Sequence, residues 1–419
     1  MSRIGLFNTC SMVFISGIVL LATGLPCNAQ SGQPIKIGFI SMFTGRVSVL
    51  GTSGFGGVAL AAEEINSRGG LLGRKIELIK RDCEGKPEEA VRIARELVNN
   101  DKVNFIIDNT SSGIAFALKE AAKDLKTIII ITSPEAIRLN ADPTIWSKYT
   151  FKTARSVVHD ALVAASFMGK MAKEMNLKKW TAISPSYSYG QDWVELLIPA
   201  LEEKAPDIKI GSQLWPKVYT TDFTPHITTI ISEKPDGLFV VQWGQDAIAF
   251  VKQAKEYELP KMVKMFGVNF GEYEFLDGVR PVPEGMFACN RYLLNAPPTD
   301  ENKNFGLTYK KKFETFPTCW SQESYTAVRM LGAAVTKAKT VETEAVIKAL
   351  EGLTIKAPWG TPPNGTVTMR ARDHQLVDYY ICWGRTISND PYVVDLQTLP
   401  WKEITDFETK YLKQKGWLK

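Results

Sequence analysis

From Ile35 onward the chain alternates short apolar runs with longer stretches whose apolar residues recur every three or four positions. Ile35-Lys36-Ile37-Gly38-Phe39-Ile40 reads as a strand, and Ser41 to Gly57 as a loop rich in Gly, Ser and Thr. Val58, Ala61, Ala62 and Ile65 then share one helical face, which Gly69-Gly70 ends. Arg74 to Asp82 is a second strand, and Pro87 opens a helix with Val91, Ala94, Leu97 and Val98 facing inward. Val103 to Asp108 is a third strand. Ile114 to Lys123 is a helix carrying Ala117, Leu118, Ala121 and Ala122, and Thr127 to Thr132 is a fourth strand before Ser133-Pro134. Strands that alternate with helices form a parallel sheet covered on both faces, with right-handed crossovers. Ligands sit outside the carboxyl ends of such strands, so the loops at Ser41, Asn109 and Ser133 converge on one edge.

The alternation then begins again. After a helix from Val157 to Met175, the strand Trp180 to Ser184 ends at Ser186-Tyr187-Ser188-Tyr189-Gly190. Ile208 to Leu214 is the next strand and Thr224 to Glu233 the next helix. Gly237 to Val241 ends at Gln242-Trp243-Gly244, and Val263 to Val268 ends at Asn269-Phe270-Gly271. This is a second doubly wound lobe whose strand ends carry aromatic and amide side chains. Beyond Met286 to Cys289 lie helices from Asn302 to Thr315 and from Ser321 to Lys339, then a Pro and Gly rich segment from Ala357 to Gly365. The charged and aromatic tail from Trp401 has no readable role.

Asn109-Thr110-Ser111-Ser112-Gly113 is the turn with the clearest chemistry. It joins a strand to a helix, and the first N–H groups of a helix lack intrahelical partners and carry the positive end of its dipole. With the Ser111 and Ser112 hydroxyls they suit a carboxylate or another anion. The plainer reading is that one of the two serines caps the helix.

At 419 residues the chain is long enough for two domains, and 45% hydrophobic residues with mixed charge describe a globular protein. The net charge of +5 is spread without a Lys/Arg block, so nucleic acid is not expected as a partner. Arg3, the apolar run Met12 to Leu25, and Cys27-Asn28-Ala29 before Gln30 read as a secretory signal over residues 1 to 29, cleaved near Ala29. A lipoprotein signal would also end in Cys, but Pro26 directly before Cys27 suits that processing poorly. Outside the leader, Cys83, Cys289, Cys319 and Cys382 form no C-x-x-C pair and read as buried thiols or one bridge. His159, His226 and His374 form no H-E-x-x-H, so neither a metal nor another cofactor is expected. A nicotinamide enzyme would need G-x-G-x-x-G after the first strand, and a serine hydrolase G-x-S-x-G; both patterns are missing.

Ile37-Gly38-Phe39-Ile40-Ser41 with Thr44-Gly45, Glu63-Glu64-Ile65-Asn66 with Gly69-Gly70, Ser111-Ser112, Ser133-Pro134, Tyr189-Gly190, and Arg370 with Asp373-His374-Gln375 occur in an order and spacing that resemble one family. These are the type I periplasmic binding proteins, in particular the leucine/isoleucine/valine-binding proteins that serve ABC importers. The resemblance covers essentially the whole mature chain. It implies an α/β fold of two doubly wound, Rossmann-like lobes joined by a three-stranded hinge, with residues 30 to about 152 and about 290 to 372 in one lobe. Residues 153 to 289 and 373 to 419 would form the other. It also implies a monomeric, non-enzymatic periplasmic protein, whose partners are a small-molecule ligand and ABC permease membrane subunits, and whose lobes close about the hinge.

Carried over residue by residue, the resemblance places the carboxylate at Ser111 or Ser112, assisted by backbone around Glu135. Pocket aromatics correspond to Tyr189, Trp243 and Trp320, and a first-loop tyrosine falls near Leu50. Two positions depart from the amino-acid-binding pattern: a threonine is replaced by Ile137, and the acidic partner of the α-ammonium by Asn269. A buried ammonium needs an opposing charge. The expected ligand is therefore a carboxylate without an α-ammonium, with an aromatic or bulky apolar body, and Phe270 is a further candidate wall. The competing expectation is that Glu272 or Glu274 takes over the ammonium and the ligand is a branched-chain amino acid. A repressor would need a DNA-binding module and a receptor a membrane span. The pattern offers neither, which leaves a soluble ligand sensor of the same fold as the other alternative.

Overall fold

The computed structural model describes residues 32–418, so the expected leader and its cleavage point lie outside the described residues. The first lobe opens with β1 (Ile35–Ser41), α1 (Ser48–Ser67), β2 (Ile76–Asp82), α2 (Pro87–Asn99) and β3 (Phe105–Asn109). It continues through α3 (Ser112–Leu125), β4 (Ile128–Ile131), α4 (Arg138–Ala141) and β5 (Thr150–Lys152). Its five strands are all parallel, in the order β2-β1-β3-β4-β5. Because successive side chains point to opposite faces, Ile106 and Ile129 pack under α2 and α3. Ile107 and Ile130 join the core on the other face.

The second lobe follows with α5 (Val157–Met175), β6 (Lys179–Ile183), α6 (Ser188–Lys204), β7 (Lys209–Leu214), α7 (Thr224–Glu233) and β8 (Gly237–Val240). Then come α8 (Gly244–Glu256), α9 (Leu259–Met262), β9 (Lys264–Glu272), α10 (Tyr273–Gly278) and β10 (Phe287–Tyr292). The chain returns to the first lobe as α11 (Asp300–Phe313), α12 (Cys319–Ala338) and α13 (Thr343–Leu350). A small antiparallel sheet of β11 (Thr354–Thr361), β12 (Thr366–Met369) and β13 (Leu376–Val377) comes next. Last are β14 (Trp383–Thr386), β15 (Val393–Gln397) and α14 (Trp401–Gln414). The second sheet runs β15-β14-β10-β9-β8-β6-β7, parallel except for β14 and β15.

Both parallel sheets thus share one winding. Strand order reverses between β1 and β3 in the first and between β6 and β8 in the second. Such a switch point opens a crevice at the carboxyl ends, and the two crevices belong to the two walls of one cleft.

The crossings between lobes are tied together. Lys152 N–H donates to the His374 carbonyl (2.8 Å), and Asn290 N–H to the Cys382 carbonyl (2.9 Å). Arg155, fully buried, pairs with buried Asp160 (3.2 Å) and donates to the carbonyls of Arg291 and Tyr380 (3.4 Å each). Its own N–H reaches Glu323 (3.3 Å) on α12. One guanidinium therefore touches all three crossing segments.

Three local expectations are corrected. The Ser41 to Gly57 loop ends early, since α1 starts at Ser48 and takes in Gly51, Gly54, Gly56 and Gly57. These glycines permit close approach: a Cβ at Gly57 would lie 2.0 Å from the Ser321 carbonyl oxygen of α12. Asn269 and Phe270 lie inside β9, which runs to Glu272, and not in a loop. The unread tail is an amphipathic helix whose Ile404, Phe407, Glu408, Tyr411 and Leu412 are buried. Its Glu408 accepts from Arg370 (2.6 and 2.7 Å), and Trp401 Nε1 donates to the Tyr379 carbonyl (2.8 Å), fastening the third crossing to the second lobe. All four described cysteines are free and buried, which settles the alternative of one bridge.

Candidate ligand cleft

The first wall is built at the β1/β3 switch point. Asn109, the last residue of β3, donates from Nδ2 to the Leu50 carbonyl (2.8 Å) and to Ser41 Oγ (3.2 Å), while its Oδ1 accepts from Thr132 Oγ1 (3.2 Å). It ties together three strand ends beneath the Thr110-Ser111-Ser112 turn. Ser111 occupies the N-cap of α3 with extended backbone (φ −96°, ψ 160°), yet its side chain makes no capping bond. The plain capping role is therefore not observed for Ser111. The N–H groups of Ile114 and Ala115 return to the Ser111 carbonyl (3.0 Å each), and those before them have no acceptor within the helix.

The second wall comes from strand ends of the other sheet. Tyr187 and Tyr189 follow β6, Trp243 follows β8, and Asn269 sits in β9. Asn269 Nδ2 donates to the Tyr189 hydroxyl and to the Gln242 carbonyl (3.2 Å each), which fixes the Tyr189 ring. Trp320, in the first turn of α12, meets Trp243 edge-to-face across the cleft, ring centroids 6.2 Å apart. The N-terminus of α12 is already satisfied by a capping box of Thr318 and Ser321, so Trp320 contributes its ring and not a free helix end.

The cleft between these walls is lined by Leu50, Ser111, Ser112, Glu135, Tyr189, Trp243, Asn269 and Trp320, all expected from sequence. Ile137 is not among the lining residues. Its side chain is 3% exposed within the hydrophobic core, and its N–H donates to Asp192 (2.9 Å) because the chain turns into α4 there. Phe270 is fully buried and stacks on Phe275 at 4.4 Å, so it is core and not a wall. Glu272 and Glu274 also lie off the cavity; Glu272 accepts from the Cys319 N–H (3.2 Å).

Sequence reasoning missed Tyr187 and Arg291. Arg291 is the penultimate residue of β10, and its guanidinium pairs with Glu135, the two side chains being 2% and 4% exposed. The available signal is an arginine, after Asn290, inside a segment that is otherwise apolar from Phe287 to Leu294. The expected strand ends at Cys289, whereas β10 continues to Tyr292 and so carries Arg291 to the cleft.

At the rim Arg46, from the loop after β1, pairs with Asp246 of α8 (3.2 Å), and Asp246 also accepts from the Tyr219 N–H (2.7 Å). This bond exists only when the lobes are together. Arg46 is 40% exposed, which limits such a pair to roughly 0.2–1 kcal/mol. Arg46→Met is expected to speed ligand dissociation up to about fivefold, less in high salt, as read by stopped-flow quenching of tryptophan fluorescence.

Burial raises the carboxyls of Asp108, Glu272 and Glu274 to about 7. Between pH 4 and 7 the folded chain therefore holds protons that the unfolded chain has released, so these groups favour folding most at low pH and lose that contribution as pH rises through 7. Glu408 behaves oppositely: burial would raise it, but His159 and Arg370 hold it well below the usual range. Its contribution is present above the unfolded carboxylate pKa and fades as pH falls below it. The melting temperature is expected to peak near pH 5 and to decline toward pH 7.5, and Glu272→Gln should flatten the decline in a calorimetric pH series.

Among the described residues no group of His, Cys, Asp or Glu is placed to hold a metal ion, and no helix is long and apolar enough to cross a membrane. A family model described as periplasmic binding protein matches residues 34–382. The chain belongs to the periplasmic binding protein family. The Leu/Ile/Val-binding protein homolog 7 of Brucella suis biovar 1 is 25% identical over 361 residues, 83% of this chain and 87% of that protein. Among solved structures, the fold matches an ABC transporter solute-binding protein of Rhodopseudomonas palustris BisB5 in complex with 3,4-dihydroxybenzoic acid. That match has a TM-score of 0.77 at 22% identity, over 86% of this chain and 95% of that one. It also matches the branched-chain amino acid transporter substrate-binding protein LivJ of Streptococcus pneumoniae in complex with isoleucine. Here the TM-score is 0.75 at 20% identity, over 87% of this chain and 99% of that one. At such identities the solved structures establish the two-lobed type I fold of this periplasmic binding protein.

Proposed function

We propose that this protein is the substrate-binding component of an ABC importer. It is exported to the periplasm, captures a small carboxylate with an aromatic or bulky apolar body between its lobes, and delivers it to a membrane permease. The observation that carries the ligand class is the composition of the cavity. The first turn of α3 faces it with Ser111 not engaged in capping, while Trp243, Trp320, Tyr187 and Tyr189 supply flat walls. The carboxylate of Glu135, also in the lining, is neutralised by Arg291, and Glu272 is engaged by Cys319. An α-ammonium would find no unpaired acidic partner there, and an unpaired buried charge costs several kcal/mol. A solute-binding protein of the same fold holds 3,4-dihydroxybenzoic acid.

One observation favours a second reading. Glu135 lines the cavity with its carboxylate, and an amino acid's ammonium could displace Arg291 from it. Another protein of the fold holds isoleucine. Isothermal calorimetry with benzoate, phenylpropanoid acids, leucine and valine separates the readings. Binding of aromatic acids in preference to leucine supports the first, and tight binding of leucine or valine with no response to aromatic acids refutes it.

A further inference from the structure

Arg291 and Glu135 enter the cavity from different elements, one from the end of β10, in a crossing segment, and the other from the loop after β4. Arg291 Nη1 donates to Glu135 Oε2 (3.3 Å), and Nη2 also contacts that carboxylate and lies 4.0 Å from Cys319 Sγ. Arg291 Nε is buried and has no acceptor in the protein. The backbone of Arg291 is pinned, since its carbonyl accepts from Gln322 Nε2 (3.0 Å) and from Arg155 (3.4 Å). A buried N–H without a partner in a cavity wall calls for an acceptor on whatever fills the cavity.

We propose that Arg291 and Glu135 form a donor–acceptor couple that reads a neutral oxygen, such as a ring hydroxyl, on the body of the ligand. A hydroxyl can accept from Arg291 Nε–H and donate to a free lone pair of Glu135 at once. A bare hydrocarbon edge leaves Nε unmatched. A second carboxylate meets the Glu135 charge, and because that charge already balances Arg291, the couple offers no net positive charge to hold a second anion. The inference rests on the carboxylate reading above, in which the α3 turn grips the acid group and the aromatic side chains flank the body.

Calorimetry on the mature chain with benzoate, 3-hydroxybenzoate, 4-hydroxybenzoate, terephthalate and leucine tests it. At least one hydroxybenzoate is expected to bind tenfold or more tighter than benzoate, with terephthalate weaker than that isomer. Removing Arg291 alone would strand Glu135 and risks the fold, so the couple is removed together as Arg291→Met/Glu135→Leu, with circular dichroism as a folding check. In that variant benzoate and the preferred hydroxybenzoate should bind within twofold of each other. Equal binding of the two in the unaltered protein, or a hydroxyl preference that survives the double substitution, overturns the couple and leaves the carboxylate reading standing. Binding of leucine with no response to any benzoate overturns the carboxylate reading itself, and the couple with it.

Discussion

Arg155→Met is expected to lower the stability of the folded chain by about 3–5 kcal/mol, the usual cost of stranding one member of a buried ion pair. Asp160, fully buried, loses its 3.2 Å partner, and the carbonyls of Arg291 and Tyr380 lose a donor. Glu323, to which the Arg155 N–H points, loses a neighbouring positive charge. The guanidinium also lies 5.6 Å from the ring centroids of Trp359 and Tyr379, packing that a methionine reproduces only in part. Urea titration followed by far-UV circular dichroism would show the midpoint fall. Adding Asp160→Asn should restore part of the loss, because no lone charge then remains buried. A fall smaller than about 1 kcal/mol would mean that the crossings are held by their backbone bonds alone. Since Arg155 fixes the carbonyl of Arg291, ligand affinity is expected to weaken in the same variant.

Gly57→Ala is expected to destabilise the packing of α1 against α12. Its Cβ would stand 2.0 Å from the Ser321 carbonyl oxygen, a backbone atom that no side-chain rotation can remove. α1 and α12 would have to separate, and overpacking of this kind costs roughly 1–3 kcal/mol, occasionally more. The displacement would reach the cleft, because α1 carries Leu50 and α12 carries Trp320. Gly113→Ala is the matched control. No atom lies within 4 Å of a Cβ built there, and alanine in a helix is favoured over glycine by roughly 0.5–1 kcal/mol. Thermal melts of both variants should move in opposite directions, and equal losses would contradict the steric account.

The sequence by itself determined the repeated strand–helix winding and the place of the Ser111-Ser112 turn. Apolar runs such as Ile128 to Ile131 are local signals that burial follows closely, whereas the face expected for α2, Val91, Ala94, Leu97 and Val98, is rotated in the structure, which buries Ala90 and Ile93 with Ala94 and Leu97. Once the winding is known, switch-point geometry brings the ends of β1, β3, β6 and β8 to one cleft, so Ser111, Ser112, Tyr189 and Trp243 could be named in advance. Only the tertiary structure decided the rest. Gly51 to Gly57 resemble a loop because glycine reports freedom locally, whereas here it reports close approach, to the Met42 backbone, to Asn109, and to α11 and α12 at Gly56 and Gly57. Ile137 and Phe270 sit one or two residues from the cavity, and which face each presents depends on where α4 begins and how far β9 runs. The Glu135–Arg291 pair joins residues 156 positions apart, one after β4 and one in β10, and no spacing along the chain encodes that meeting. Charge pairing of this kind depends on three-dimensional distance and on exclusion of water, both of which exist only after the lobes have packed.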